Sequence, residues 1–151
     1  GDPKHCNSFW ERWTSFCFAL DRAGIALEKE LCILADDFAP YDNAQWLAEQ
    51  IRAMPAAPDA FVCANDFLAL NMLSALKQMG LSVPGDVMLT GFDGVPQSAV
   101  IEPSLTTAQI PNTEIGRMAA EVLLDRIAHP DRPFRTIYIR TSTIWRGSTS
   151  R

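Results

Sequence analysis

Three short apolar runs in this chain each end in polar groups able to hold a ligand. LCILA, residues 31–35, leads into Asp36, Asp37 and Phe38; AFVCA, residues 60–64, leads into Asn65 and Asp66; VMLTG, residues 87–91, leads into Phe92 and Asp93. A carboxylate or amide can bond two neighbouring hydroxyls at once, and an aromatic face can cover an apolar ring. That chemistry suits a polyol, a sugar or a nucleoside. Each residue also has a plainer use. Asn65 or Asp66 caps a helix, Asp36 and Asp37 are solvated loop residues, Phe38 packs in a core, and Asp93 beside glycines forms a turn. Residue type and spacing leave both uses open.

Catalytic patterns do not assemble. The sequence contains no G-x-S-x-G, no G-x-x-x-x-G-K-[ST] phosphate loop and no G-x-G-x-x-G. His5 and His129 have no ligand partners at a workable spacing, and no C-x-x-C pair occurs, so neither a zinc site nor another cofactor is expected. Cys6, Cys17, Cys32 and Cys63 read as reduced thiols, which suit a cytoplasmic protein.

The elements that must carry these residues follow from pattern. Ser8 with Glu11 forms a capping box, and an apolar helix runs to about Ala23 with Gly24 as its stop. LCILA, AFVCA and VMLTG read as buried strands. Between them, Asp42 with Gln45 opens a helix that Pro55 ends, and Asn65 or Asp66 opens another that Gly80 closes. Strands that are nearly all apolar and separated by helices predict a parallel sheet covered on both faces, an α/β fold. Ligands of such sheets bind outside the carboxyl ends of the strands, where the polar groups above converge. Further on, apolar positions Ile115, Met118, Ala119, Val122, Leu123 and Ile127 make one stripe on a helix over 112–128. TIYI and STIW read as two final strands.

With 151 residues, 48% of them hydrophobic and 21% charged, the chain can build a real core. A net charge of −5 argues against this segment gripping nucleic acid, whose phosphates need a basic patch. No apolar run reaches membrane-spanning length, so no membrane partner is expected.

Two stretches make a family visible. DAFVCANDFLALNMLSALKQMGLSVPGDVMLTGFDGVPQSAVIEPSLTT resembles the ligand-domain core of the lactose repressor/galactose repressor family of transcription regulators. ERWTSFCFALDRAGI is similar to that family's earlier segment, and WRGSTS resembles its ending. GFDG stands where GFDD is commoner, and Gly147 replaces a glutamate.

The resemblance implies a periplasmic-binding-protein-like fold of two α/β lobes with the ligand between them. Residues 1–111 match the second lobe, 112–130 a crossing helix of the first, and 131–151 the return to the second. The family's helix-turn-helix and most of its first lobe have no counterpart in these residues, and the stripe of helix 112–128 is expected to lack its usual floor. By motif, Arg12, Phe38, Asn65 and Asp93 become the effector-binding residues, which leaves Asp66 as the helix cap. Leu70, Leu73, Val100 and Ile101 become a homodimer interface. The implied function is that of an effector-sensing, non-enzymatic domain of a cytoplasmic regulator. It would take a small hydroxylated effector and reach operator DNA only through the helix-turn-helix. The nearest rival is a periplasmic solute-binding protein; the rival from another class is a small α/β enzyme, which lacks a credible nucleophile.

Overall fold

The computed structural model describes residues 1–150. In chain order the helices are α1 (Asn7–Arg22), α2 (Ala44–Arg52), α3 (Asp66–Gln78), α4 (Gln97–Val100) and α5 (Asn112–Ala128). The strands β1 (Ala60–Val62), β2 (Met88–Asp93), β3 (Thr106–Gln109) and β4 (Ser142–Ile144) form one sheet in the order β1-β2-β3-β4. β1, β2 and β3 are parallel, and β4 returns antiparallel to β3. The register sets Phe61 against Leu89, Thr90 against Thr106 and Asp93 against Gln109.

The core lies between this sheet and the α2–α3 pair. Leu47, Ala48 and Ile51 of α2 meet Ala69, Met72, Leu73 and Leu76 of α3, against Phe61, Val87, Leu89 and Leu105. Burying each large side chain of this set contributes about 1.5–3 kcal/mol. The opposite face is looser than the sequence predicts. Along β1 only Phe61 is buried, and Val62, pointing the other way, is 58% exposed.

A second knot ties the C-terminal tail to the sheet. Ser148 is buried, donates to the Leu89 carbonyl at 2.6 Å and accepts from the Thr106 amide at 2.8 Å. Arg146 donates to Ser98 Oγ at 2.8 Å and to the Leu105 carbonyl at 3.0 Å. WRGSTS is therefore a structural latch, in which small hydroxyls replace the backbone partners that β2 and β3 leave at this end.

Several local expectations are corrected. LCILA is not a strand: residues Lys29–Leu31 make a 3-10 turn, and the extended backbone that follows pairs with no strand. A strand needs a neighbour to satisfy its backbone groups, and none lies beside this segment. TIYI likewise stays outside the sheet, whereas Ser142–Ile144 within STIW does join it. Helix α1 starts after Cys6 with no side-chain cap, in place of the Ser8–Glu11 box. Asn43, not Asp42, caps α2 by accepting from the Gln45 and Trp46 amides at 2.9 and 3.2 Å. Leu73 is 5% exposed within the core, so it is withdrawn from the interface set; at its step along α3 the side chain faces α2 and the sheet.

Helix α5 forms as its stripe predicts but buries none of its residues. Leu123, Leu124 and Ile127 are exposed. Among the described residues the four cysteines are free; Cys6 is exposed and the others are half-buried.

Candidate functional site

Strand β2 ends on Asp93, and the parallel ladder aims that end at the same rim as the end of β1. Asp93 has φ 118°, the sole non-glycine positive φ among the described residues. A side chain held there costs of order 1–3 kcal/mol, so the surroundings must impose it. Asp66 does so. It is fully buried, and its Oδ2 accepts from the Gly94 and Val95 amides, both at 2.9 Å, while Oδ1 accepts from Thr107 Oγ1 at 2.6 Å. Gly94 follows with φ 74°, where a Cβ would stand 2.9–3.1 Å from Gln109, so glycine is required on both counts. At Gly91 a Cβ would meet Asp66 Oδ1 at 2.2 Å; the missing side chain is what lets Asp66 reach the loop.

Arg12 reaches this rim from α1. Its i, i+3, i+4 spacing with Phe9, Trp13 and Phe16 puts all four on one helix face, and all four line the space between α1 and β1. The guanidinium donates to the Ala64 carbonyl at 2.7 Å and, at 3.5 Å, to Asp93 Oδ1. It lies 3.7 Å from the centroid of the Phe92 ring. The planar group is thus fixed on three sides, as its geometry favours. Burial raises the Asp93 carboxyl above its ordinary value, while the nearby Arg12 pulls it down. Both side chains are part-buried and keep hydrogen-bonding capacity toward solvent.

Asn65 caps α3: its Oδ1 accepts from the Leu68 amide at 2.9 Å. The expected roles of Asn65 and Asp66 as ligand group and cap are therefore exchanged in part. Asp66 is a buried brace, and Asn65 caps and also lines an open pocket with Asp2, His5, Asp37, Tyr41 and Asp42. His5 bonds Asp37 there at 3.0 Å, which raises its pKa. Tyr41 donates to the Ala35 carbonyl at 2.7 Å, and burial pushes its hydroxyl up to about 12. Phe38 is 97% exposed on the turn after Asp36. Among the described residues no group of His, Cys, Asp and Glu could hold a metal ion.

The sequence reading missed the parts that act through others. Phe92 beneath Arg12 had a signal, its place directly before Asp93. The Asp66 brace had none, because its partners are 28 to 41 residues away.

A mostly parallel sheet with ligand-type groups on its carboxyl rim defines a binding domain, and comparison with known proteins assigns its class. Residues 3–149 match the family model described as periplasmic binding protein-like domain, and the chain belongs to that family. Within it, the chain is a lactose repressor/galactose repressor effector-binding domain by its relatives. It is 34% identical over 139 residues to the HTH-type transcriptional repressor PurR of Erwinia tasmaniensis, spanning 92% of this chain and 40% of that protein. It is 34% identical over 104 residues to the lactose operon repressor of Rhizobium radiobacter, spanning 69% of this chain and 91% of that sequence. Among solved structures, the transcriptional regulator CelR–cellobiose complex superposes with a TM-score of 0.86 at 28% identity, covering 98% of this chain and 45% of that one. A LacI family transcriptional regulator from Enterococcus faecium with bound ribose gives 0.78 at 27% identity, covering 92% and 51%. The chain thus spans less than half the length of the PurR relative, and these relatives are named as regulators, not enzymes.

Proposed function

We propose that this chain forms one lobe of an effector sensor and binds a small neutral hydroxylated ligand, sugar-like or nucleoside-like, on the rim between Arg12 and Asp93. The observation that carries this reading is the Arg12–Asp93 pair at 3.5 Å on the carboxyl end of the parallel sheet. A vicinal diol matches such a pair: each hydroxyl donates to the carboxylate or accepts from the guanidinium. The adjoining pocket carries Asp2, Asp37 and Asp42, with His5 as its basic residue, a field that disfavours phosphate or carboxylate ligands. Cellobiose and ribose in the two related structures are ligands of the same class. Asn65 supplies an amide on this rim, and Phe38 becomes a stacking face when a second lobe closes over it.

In the complete protein, residues 1–111 and 131–151 belong to this lobe, and helix 112–128 to the opposing one. Ligand between the lobes favours one arrangement and so biases DNA binding by a helix-turn-helix outside this chain. The protein acts in the cytoplasm as a homodimer, through half-buried Leu70 and Ile101 and through Val100, which is 83% exposed. A monomer by light scattering at micromolar concentration refutes the dimer.

The test is a thermal-shift screen of the complete protein against mono- and disaccharides, nucleosides, purines and sugar phosphates. A ligand at a hundredfold over its Kd adds about 2.7 kcal/mol, and Asp93→Ala removes the shift. A shift from sugar phosphates alone, or one that Asp93→Ala leaves intact, overturns the assignment.

A further inference from the structure

Two turns meet in the pocket that Asn65 lines, one ahead of α1 and one after Ala35. In the first, the Asp2 carboxylate accepts from the Lys4 amide at 2.7 Å and the Asp2 carbonyl accepts from the His5 amide at 3.2 Å. The His5 ring leans on Phe9 of α1, with centroids 4.8 Å apart and planes tilted by 51°. In the second, the Asp36 carboxylate accepts from the Phe38 amide and the Asp36 carbonyl from the Ala39 amide, both at 3.0 Å. Tyr41 anchors the base of this turn on the Ala35 carbonyl. With Asp36 occupied by its own turn, Asp37 reaches outward and meets His5 Nδ1 at 3.0 Å. The residue next to it is Phe38.

Most half-exposed ion pairs contribute little, because two side chains must be ordered to make them. Here each partner is already held, His5 by its turn and by Phe9, Asp37 by the turn that Asp36 closes, so little freedom is left to lose. The charged side chains that share the pocket with His5 have one sign: Asp37 and Asp42 from the second loop and Asp2 from its own segment. The Cys6 thiol follows His5 in the chain. Phe9 of α1 and Asn65, Phe67 and Leu68 at α3 are neutral, and the Gly1 amino group is bonded to the Ile33 carbonyl. The hydrogen bond to Asp37, with the charge of that carboxylate, raises His5 above its ordinary 6.5. The folded protein therefore holds that proton more tightly than the unfolded one. The charged contact is complete below 6.5 and is lost as pH rises through the raised value.

We infer that His5 is a positioning residue for this rim: its bond to Asp37 clips the turn that carries Phe38 to the start of α1, so the turn loosens and effector affinity falls as pH rises. The inference rests on the reading of the rim as the effector site and adds a pH control to it. While His5 is charged, the turn presents Phe38 in one place, and binding has less of the protein to order. Once the ring is neutral it no longer attracts Asp2, Asp37 and Asp42. The turn then samples more positions, and the competent one is a smaller fraction of them. The effect is modest, about two- to fivefold, the range of a half-exposed pair.

The test uses the complete protein, as wild type, His5→Gln and Asp37→Asn, at a series of pH values on both sides of the histidine transition. Amide exchange at Phe38 and Ala39, corrected for its intrinsic pH dependence, is read without ligand, and binding of ribose and of cellobiose is measured by calorimetry. In wild type, exchange of the two amides quickens about two- to fivefold across the transition and affinity for the sugar that binds falls by a similar factor. Both variants show the fast exchange and the weaker binding at every pH. Exchange that ignores pH in wild type, or that follows pH equally in His5→Gln, overturns the clip, and sugar binding in the same experiment spares the rim reading. Exchange that follows pH while affinity does not overturns the positioning role. Exchange that follows pH in wild type alone, with neither sugar bound, upholds the clip and counts against the rim as a sugar site.

Discussion

Asp66 gives the sharpest test of how this rim is built. Its carboxylate is fully buried and accepts three hydrogen bonds, from Gly94 N, Val95 N and Thr107 Oγ1. Bonds to a charged group contribute about 1.5–3 kcal/mol each and neutral ones about 0.5–1.5. In Asp66→Asn the carbonyl still accepts both amides, and Thr107 turns its hydroxyl to accept from the new NH2. The loss is then near 1 kcal/mol per bond, about 2–3 kcal/mol in all. Asp66→Ala instead leaves two part-buried amides and the buried Thr107 hydroxyl without their acceptor, at about 3–6 kcal/mol, a large share of a typical domain's 5–15. Urea denaturation followed by circular dichroism measures both, and hydrogen exchange at Gly94 and Val95 reports the loop directly. The alanine variant risks not folding; the asparagine variant keeps the test sharp. If Asp66→Asn stays within about 0.5 kcal/mol of wild type, the range of an indifferent surface change, the carboxylate does not hold the Asp93 loop.

Gly91→Ala places a methyl 2.2 Å from Asp66 Oδ1, so it destabilises by about 1–3 kcal/mol in the same urea assay. Asp93 shows its environment through pH. Its folded carboxyl sits above the ordinary value of 3.8, so the folded state holds the proton more tightly than the unfolded one. Its contribution therefore falls as pH rises from 3.8 through the raised value, and Asp93→Asn gains stability relative to wild type across that window. A constant difference between the two proteins at pH values on either side of that window refutes the shift. Leu73→Ala, which empties a core position, costs about 2–5 kcal/mol, whereas Val100→Ala at the exposed end of α4 changes stability by less than about 0.5. Similar losses from both would place Leu73 outside the core.

The pattern in the chain was enough to find α3, α5, AFVCA and VMLTG, since each rests on a local run or stripe of apolar residues, and all but α5 have a glycine or a cap at an end. It also marked Arg12 and Asp93, which meet at 3.5 Å although they lie 81 residues apart. Motif resemblance found them; neither spacing nor propensity encodes that distance. Tertiary structure alone decided the rest. LCILA carries a strand pattern and is not a strand, because a strand exists only by pairing and this segment joins no sheet. Asn65 and Asp66 are neighbours with similar side chains, so type could not divide them. The start of α3 turned Asn65 onto its own amides and Asp66 inward to Gly94, Val95 and Thr107. Local order is written in the sequence because it depends on residues a turn apart; a buried carboxylate's partners and a strand's neighbours are settled only when distant segments are packed together.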